Sequence, residues 1–377
     1  MPIYFEFFGY KFLPQSMGEV RRGLQLYPHP PSNFPRLAQA PLRFSGGEQE
    51  NQVLIRLVKR MFITLLFTIF FFSLHALGPD WIFSDGADGW YMANLVESSP
   101  WSLYYRSLLT ILIHSLFYTV LHPFGVSGWN AIAWSSSLAG AIAVQILFAI
   151  RRDPVFLAVN LLSGSFLVFV GHVENYAWIN AFFLLALWQT RRYLETDAPL
   201  WPAMVFYILA CLSHMLALFY MPAWLYVVWK KPKYHPYEIL LPLLGFIGLI
   251  LGLSCTSQML GTDVGLERLV PWFHKWAPNQ FFTFFSWDHW EILWYFHRQA
   301  AFLGLPIELP LLFFLRKRID TPYRRFLLLC VLCGLFWTTI WHPDWGRLDW
   351  DLFGQFGIPL HALLGLILCR KEEHELT

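Results

Sequence analysis

Long apolar runs recur along nearly the whole chain, and they constrain the fold more than any other feature. They fall at roughly 61–78, 107–122, 129–150, 154–170, 174–190, 200–213, 215–229, 237–255, 299–315, 324–341 and 356–369. A straight helical span of a bilayer takes about 20 residues, with about 17 near the lower limit. Several runs are shorter, so flanking Trp, Tyr or Ser must extend them, or they enter only part-way. The runs lack two-residue alternation and exceed the roughly 10 residues of a barrel strand, which argues against a closed β-barrel. Charged residues are 14% of the chain and hydrophobic residues 56%, against about 25% charged in a soluble domain. The expected fold is all-α: a polytopic bundle of about 10 transmembrane helices, with an interfacial external helix after the first span. A net charge of +2 is too small to imply a nucleic-acid partner.

Lys and Arg set the orientation, because they concentrate on the cytoplasmic side. Arg56, Lys59 and Arg60 precede the first run, so its far end, with Asp85 and Asp88, is outside. Arg151-Arg152, Arg191-Arg192, Lys230-Lys231, Arg316-Lys317-Arg318 and Arg370-Lys371 mark later cytoplasmic turns. Two runs lie between Asp88 and Arg151, yet the number of crossings there must be odd. Run 107–122 is therefore assigned as the segment that does not cross. The runs after it then alternate without conflict, and 256–298 becomes an external loop. Within that loop, Phe281 to Trp290 reads as a helix in the outer interface. Residues 1–55 are expected to be a disordered cytoplasmic tail, 56–370 the transmembrane domain and 371–377 a cytoplasmic tail. The expected location is a bacterial inner membrane, with the functional face outside.

Three polar clusters interrupt the apolar chain, and this topology puts all three outside. Asp85 and Asp88 lie in a Gly-rich turn, from which either carboxylate can accept a proton; the same pattern also suits a turn that caps the next helix. Arg106 offers a planar fork of donors for a phosphate, or snorkels beside Tyr104 and Tyr105. His114, near the same helical face, reads as a satisfied polar contact or a ligand contact. In the second cluster, His172, Glu174, Asn175 and Tyr176 offer hydrogen-bonding groups suited to sugar hydroxyls, while an acid there also suits a helix N-terminus. The third cluster interleaves Asp344, Arg347, Asp349 and Asp351 with Trp345 and Trp350. Arg347 suits a phosphate and the acids suit hydroxyls; an interfacial salt-bridge loop is the plainer alternative.

Other chemistries lack support. The five cysteines lie in or at the ends of apolar runs, and the Cys330-x-x-Cys333 pair has no second pair to make a metal site. His342 and Asp344 are compatible with a divalent ion, but no H-x-x-x-H or H-E-x-x-H pattern supports one, and no cofactor is expected. There is no phosphate-binding P-loop motif and no G-x-S-x-G elbow.

The acidic turn after the first span, the external segment with Arg and His, and the many short helices together resemble the GT-C superfamily. These are polytopic glycosyltransferases that use polyprenyl-phosphate-linked sugars. The strings Gly171-His172-Val173-Glu174-Asn175-Tyr176 and Asp349-Trp350-Asp351-Leu352-Phe353 are similar to those of a bacterial branch distantly related to protein mannosyltransferases. The resemblance covers about 55 to 370. It implies sugar transfer from a polyprenyl-phosphate donor to an acceptor hydroxyl, with inversion. Asp85 or Asp88 would be the general base, and Arg106 and Arg347 would hold the leaving phosphate. His114, His172, Glu174, Asn175, Tyr176, Asp344, Asp349 and Asp351 would bind sugar or acceptor. Two other readings stand beside it: a secondary transporter or lipid flippase, which needs ionisable groups near the bilayer midplane, and a non-catalytic subunit of an envelope polysaccharide system.

Overall fold

The structure, a computed structural model, describes residues 46–78, 87–101, 107–196, 198–230, 244–245, 248, 269–275, 280–343 and 350–369. Contacts divide the chain into Met1–Gln52 and Val53–Thr377. Regular structure among the described residues is helical, apart from one isolated bridge between Leu269 and Trp341. The helices are α1 (Gly46–Leu77), α2 (Ala87–Ser98), α3 (Leu108–Leu121), α4 (Gly128–Ile150), α5 (Pro154–Leu161), α6 (Tyr176–Glu195) and α7 (Trp201–Ser213). They continue with α8 (Met221–Lys230), α9 (Trp287–Ala300), α10 (Leu305–Phe314), α11 (Pro322–Ile340), α12 (Trp350–Gly354) and α13 (Gly357–Leu368).

Among the described residues, four segments are long and apolar enough to cross a membrane: Gln52–Leu77, Gly128–Ile150, Pro322–Ile340 and Trp350–Leu368. Leu54, Met61, Phe62 and Leu65 of α1 are each more than half exposed. A helix apolar on every side, with this much bare hydrocarbon, suits lipid rather than water. Its hydroxyls are satisfied within the helix: Thr64 Oγ1 donates to Arg60 O and Thr68 Oγ1 to Thr64 O, each at 2.8 Å. Phe71 and Phe72 tie α1 to the rest, through Phe166 at 5.9 Å and a stacked Trp134 at 4.0 Å between ring centroids.

The centre of the bundle is α6, packed between α4 and α7. Small residues let α4 come close: Ala131, Ala133, Ala139, Ala141 and Ala143 are fully buried. At Gly140 an added Cβ would lie 2.7 Å from the Phe169 carbonyl oxygen, so the contact is built for backbone approach.

Three apolar runs depart from the expected continuous helices. Run 154–170 breaks at Leu162–Ser163 into α5 and a 3-10 helix, Gly164–Phe169. Beside the break, Gly164 packs closely on α9, and a Cβ there would run into the Gln299 carbonyl oxygen. Run 299–315 is likewise split between the end of α9 and α10, around Gly304 at φ +88°. Run 215–229 opens as a 3-10 helix, Met215–Tyr220, before α8. Phe281 to Trp290 is also not one helix. Residues 281–286 are irregular, and α9 starts only at Trp287, where the Ser286 hydroxyl accepts from His289 N–H. Hydrogen bonds from Phe284 N to Pro271 O and from Val270 N to Ile340 O, both 2.7 Å, hold the irregular segment instead. Run 237–255 lies almost wholly outside the described residues.

Several expected cytoplasmic basic groups meet at one end of the bundle. The Arg191 guanidinium donates to the Ile150 carbonyl at the end of α4. Arg318 and Arg324 donate to Ile367 O (2.8 Å) and Leu366 O (3.3 Å) at the end of α13. Cations on the last carbonyls of a helix favour both the hydrogen bonds and the helix dipole. Asp153 accepts from Val155 and Phe156 N–H to cap α5. A hydrogen bond from the Cys369 thiol holds its carboxyl below the usual range.

Candidate functional site

At the opposite ends of α4 and α6 the polar side chains gather. Helix α3 is one wall. Its Thr110, Ile111, His114 and Ser115 are buried, while Leu116, Val120 and Phe124 just beyond its end are exposed. His114 Nε2 is 3.2 Å from the Glu174 carbonyl, which can only accept, so Nε2 donates. Nδ1 then accepts from the Ser135 hydroxyl at 3.0 Å. Trp178 Nε1 donates to the same Ser135 oxygen at 2.8 Å. Thr110 Oγ1 reaches Ser213 O at 3.0 Å and Asn175 O at 3.4 Å. The Tyr176 and His214 rings lie 5.5 Å apart. Both ring nitrogens of His114 are thus used inside the protein, and its evident work is to hold residues 174–178 against α3 and α4.

The second wall comes from the far end of the sequence. His172 Nε2 lies 2.6 Å from Asp351 Oδ2, with the two side chains 1% and 2% exposed. The other Asp351 oxygen accepts Leu352 N–H at 2.8 Å. His172 also packs on Trp350, with ring centroids 5.7 Å apart. Gly171 aims this histidine. Its φ is +70°, a conformation open to glycine at little cost, and a Cβ there would lie 2.5 Å from His75 Cβ on α1.

The third wall is α2. Met92, Ala93 and Val96 pack against Ile111, Ile132, Ala133 and Val173, and Asn175 Nδ2 contacts Met92 Sδ at 3.4 Å. Glu97 Oε1 accepts Gly128 N–H at 2.5 Å and fixes α2 to the start of α4. Segments from all three sequence clusters therefore converge: α2, residues 171–176 and residues 350–351.

Individual expectations resolve unevenly. His172, Glu174, Asn175, Tyr176 and Asp351 come together and are all buried. Asp88 stands in the first turn of α2, so the helix begins within the expected acidic turn. Asp85, Arg106, Asp344, Arg347 and Asp349 lie outside the described residues. His342 accepts Phe281 N–H at Nε2 (2.9 Å) and stacks on Phe282 at 4.5 Å, which anchors the irregular segment before α9. Sequence reasoning missed His75, Thr110, Ser135, Trp178 and Ser213. The signal for one of them was present: Ser135-Ser136-Ser137 is a hydroxyl triplet inside an apolar run.

Nearby on α9, burial lowers the His289 imidazole and holds His297 at about 4, so His297 is neutral near pH 7. Among the described residues no group of three His, Cys, Asp or Glu is placed to hold a metal ion. No family model matches the chain, and neither a curated protein nor a solved structure is significantly similar to it.

Proposed function

We propose that this chain is a membrane glycosyltransferase of GT-C type. It moves a sugar from a polyprenyl-phosphate donor to an acceptor hydroxyl on the extracytoplasmic face, with inversion. The observation that supports this reading is the convergence of α2, residues 171–176 and residues 350–351 at the end of the bundle away from the arginines. Buried polar groups gathered at the end of apolar helices are costly, and such groups mark function by default.

In the proposed reaction Asp85 or Asp88 takes the proton of the acceptor hydroxyl. The oxygen attacks the anomeric carbon, and the bond to the phosphate oxygen breaks with its electron pair leaving on the lipid phosphate. Arg106 and Arg347 stabilise the charge that grows there. Glu174, Asn175, Tyr176, His172 and Asp351, with Asp344 and Asp349, shape the sugar and acceptor pocket. The topology proposed with it has about 10 spans, counting the short apolar helices.

The test uses purified protein in lipid with a panel of polyprenyl-phosphate and polyprenyl-pyrophosphate sugars. Thermal stabilisation by one monophosphate sugar, lost in Arg347→Ala, is the expected result. Asp85→Asn or Asp88→Asn should abolish transfer in folded protein. No stabilisation by any donor, or full activity in both Asn variants, counts against the assignment.

One observation favours the transport reading. Glu308 and His361 form a buried pair at 3.6 Å, with His361 inside the candidate span Trp350–Leu368. Both also serve the turn between α9 and α10: Leu303 N–H donates to Glu308 Oε1 (2.8 Å) and Phe302 N–H to His361 Nε2 (3.1 Å). That bracing accounts for the pair without transport. Glu308→Gln should therefore alter stability and leave ion flux in vesicles unchanged.

A further inference from the structure

Within the transferase reading, on which this inference rests, we propose that His172 Nδ1 is a ligand-facing acceptor, held by Asp351, that takes a hydrogen bond from a hydroxyl of an uncharged sugar. The sugar portion of the donor or acceptor, rather than its phosphate, then meets His172 and Asn175.

The argument starts from the hydrogen bond at 2.6 Å between His172 Nε2 and Asp351 Oδ2. A carboxylate only accepts, so the ring donates from Nε2. In the neutral imidazole this leaves a lone pair on Nδ1, because the partner of one nitrogen fixes the state of the other. Nδ1 is buried and has no hydrogen-bond partner among the described residues. Buried polar atoms are nearly always paired, and an exception asks for a cause. The ring is held on one side by Asp351 and packs on Trp350 at 5.7 Å.

With the ring neutral, the missing partner is a donor. Asn175 Oδ1, three residues on, is a second buried acceptor without a partner. The Asp351 carboxyl is buried against the other ring nitrogen. Acceptors beside a carboxylate repel a phosphate and welcome hydroxyls. Trp350 is only partly buried, and its ring offers a face to the apolar side of a pyranose. A sugar supplies both halves of this demand, hydroxyl donors and a C–H face.

The test is nitrogen NMR on full-length protein in lipid nanodiscs with 15N-labelled histidine. His172→Gln identifies the His172 signals by their loss. The expected free state shows Nε2 protonated and Nδ1 bare. Farnesyl-phosphate-linked hexoses are then compared with farnesyl phosphate alone. The sugar-bearing lipids should shift the Nδ1 resonance, and sugar-free farnesyl phosphate should leave it in place. Asp351→Asn, which can donate to Nε2 and reverse the tautomer, should weaken the sugar response at least tenfold. A protonated Nδ1 in the free protein overturns the proposal whatever the lipids do. An equal shift with farnesyl phosphate alone also overturns it, since phosphate then sits at this atom. Sugar-lipid binding seen by thermal stabilisation, with Nδ1 unmoved, defeats this inference and leaves the transferase reading standing. Absence of all sugar-lipid binding defeats both.

Discussion

Gly171→Ala isolates the device that points His172 into the site. Two costs arise. An L-residue in the left-handed region loses roughly 1–2 kcal/mol. The new methyl also meets His75 Cβ at 2.5 Å, well inside the roughly 3.5–4.0 Å of an ordinary carbon contact. Overpacking of that kind costs about 1–3 kcal/mol after relaxation. The variant should therefore lose about 2–5 kcal/mol, which reversible unfolding in mixed micelles, followed by Trp fluorescence, can measure. His75→Gly removes the obstructing atom. In that background Gly171→Ala should cost only the backbone share, about 1–2 kcal/mol, and the difference between backgrounds measures the clash. A Gly171→Ala protein within about 0.5 kcal/mol of wild type in both backgrounds would refute the geometry of residues 170–172.

Other perturbations have equally definite outcomes. Asp351→Ala leaves the buried His172 Nε2–H without a partner among the described residues, and should cost about 1–3 kcal/mol in the same unfolding assay. Gly164→Ala places a methyl 1.6 Å from the Gln299 carbonyl, so purification should yield no monodisperse protein, whereas Gly125→Ala, with nothing within 4 Å, should purify normally despite its φ of +82°. His297 is held at about 4 against an ordinary 6.5, so the unfolded chain takes the proton first. Its contribution is complete above about pH 6.5 and falls as pH drops toward about 4, by about 3 kcal/mol in all. The pH dependence of unfolding should flatten in His297→Gln across that window.

Much of the architecture was legible because transfer to lipid is a property of short stretches. Run 129–150 became α4, with boundaries within a residue or so. The arginine groups were legible for the same reason, and the structure gathers Arg191, Arg318 and Arg324 on helix ends. The breaks were not legible. Run 154–170 reads as one helix by composition, yet it divides beside Gly164, where the Gln299 carbonyl leaves no room for a Cβ. Phe281 to Ser286 looks as helical as Trp287 onward, yet long-range backbone bonds to Pro271 and His342 decide otherwise. His114 had two readings, and in the structure both of its ring nitrogens have protein partners.

The sequence by itself determined a helical chain suited to lipid, the residues that are too polar for it, and the basic ends of several helices. Each of these follows from local composition, since hydrophobic transfer free energy adds up along a segment whatever lies elsewhere in the chain. Only the tertiary structure decided which polar groups share a site. His172 and Asp351 stand 179 residues apart, and no local pattern records that they meet. Their contact exists because α13 packs on α5, and α12 on the 3-10 helix Gly164–Phe169, closely enough to carry the two segments to one place, where burial away from water makes each the other's required partner.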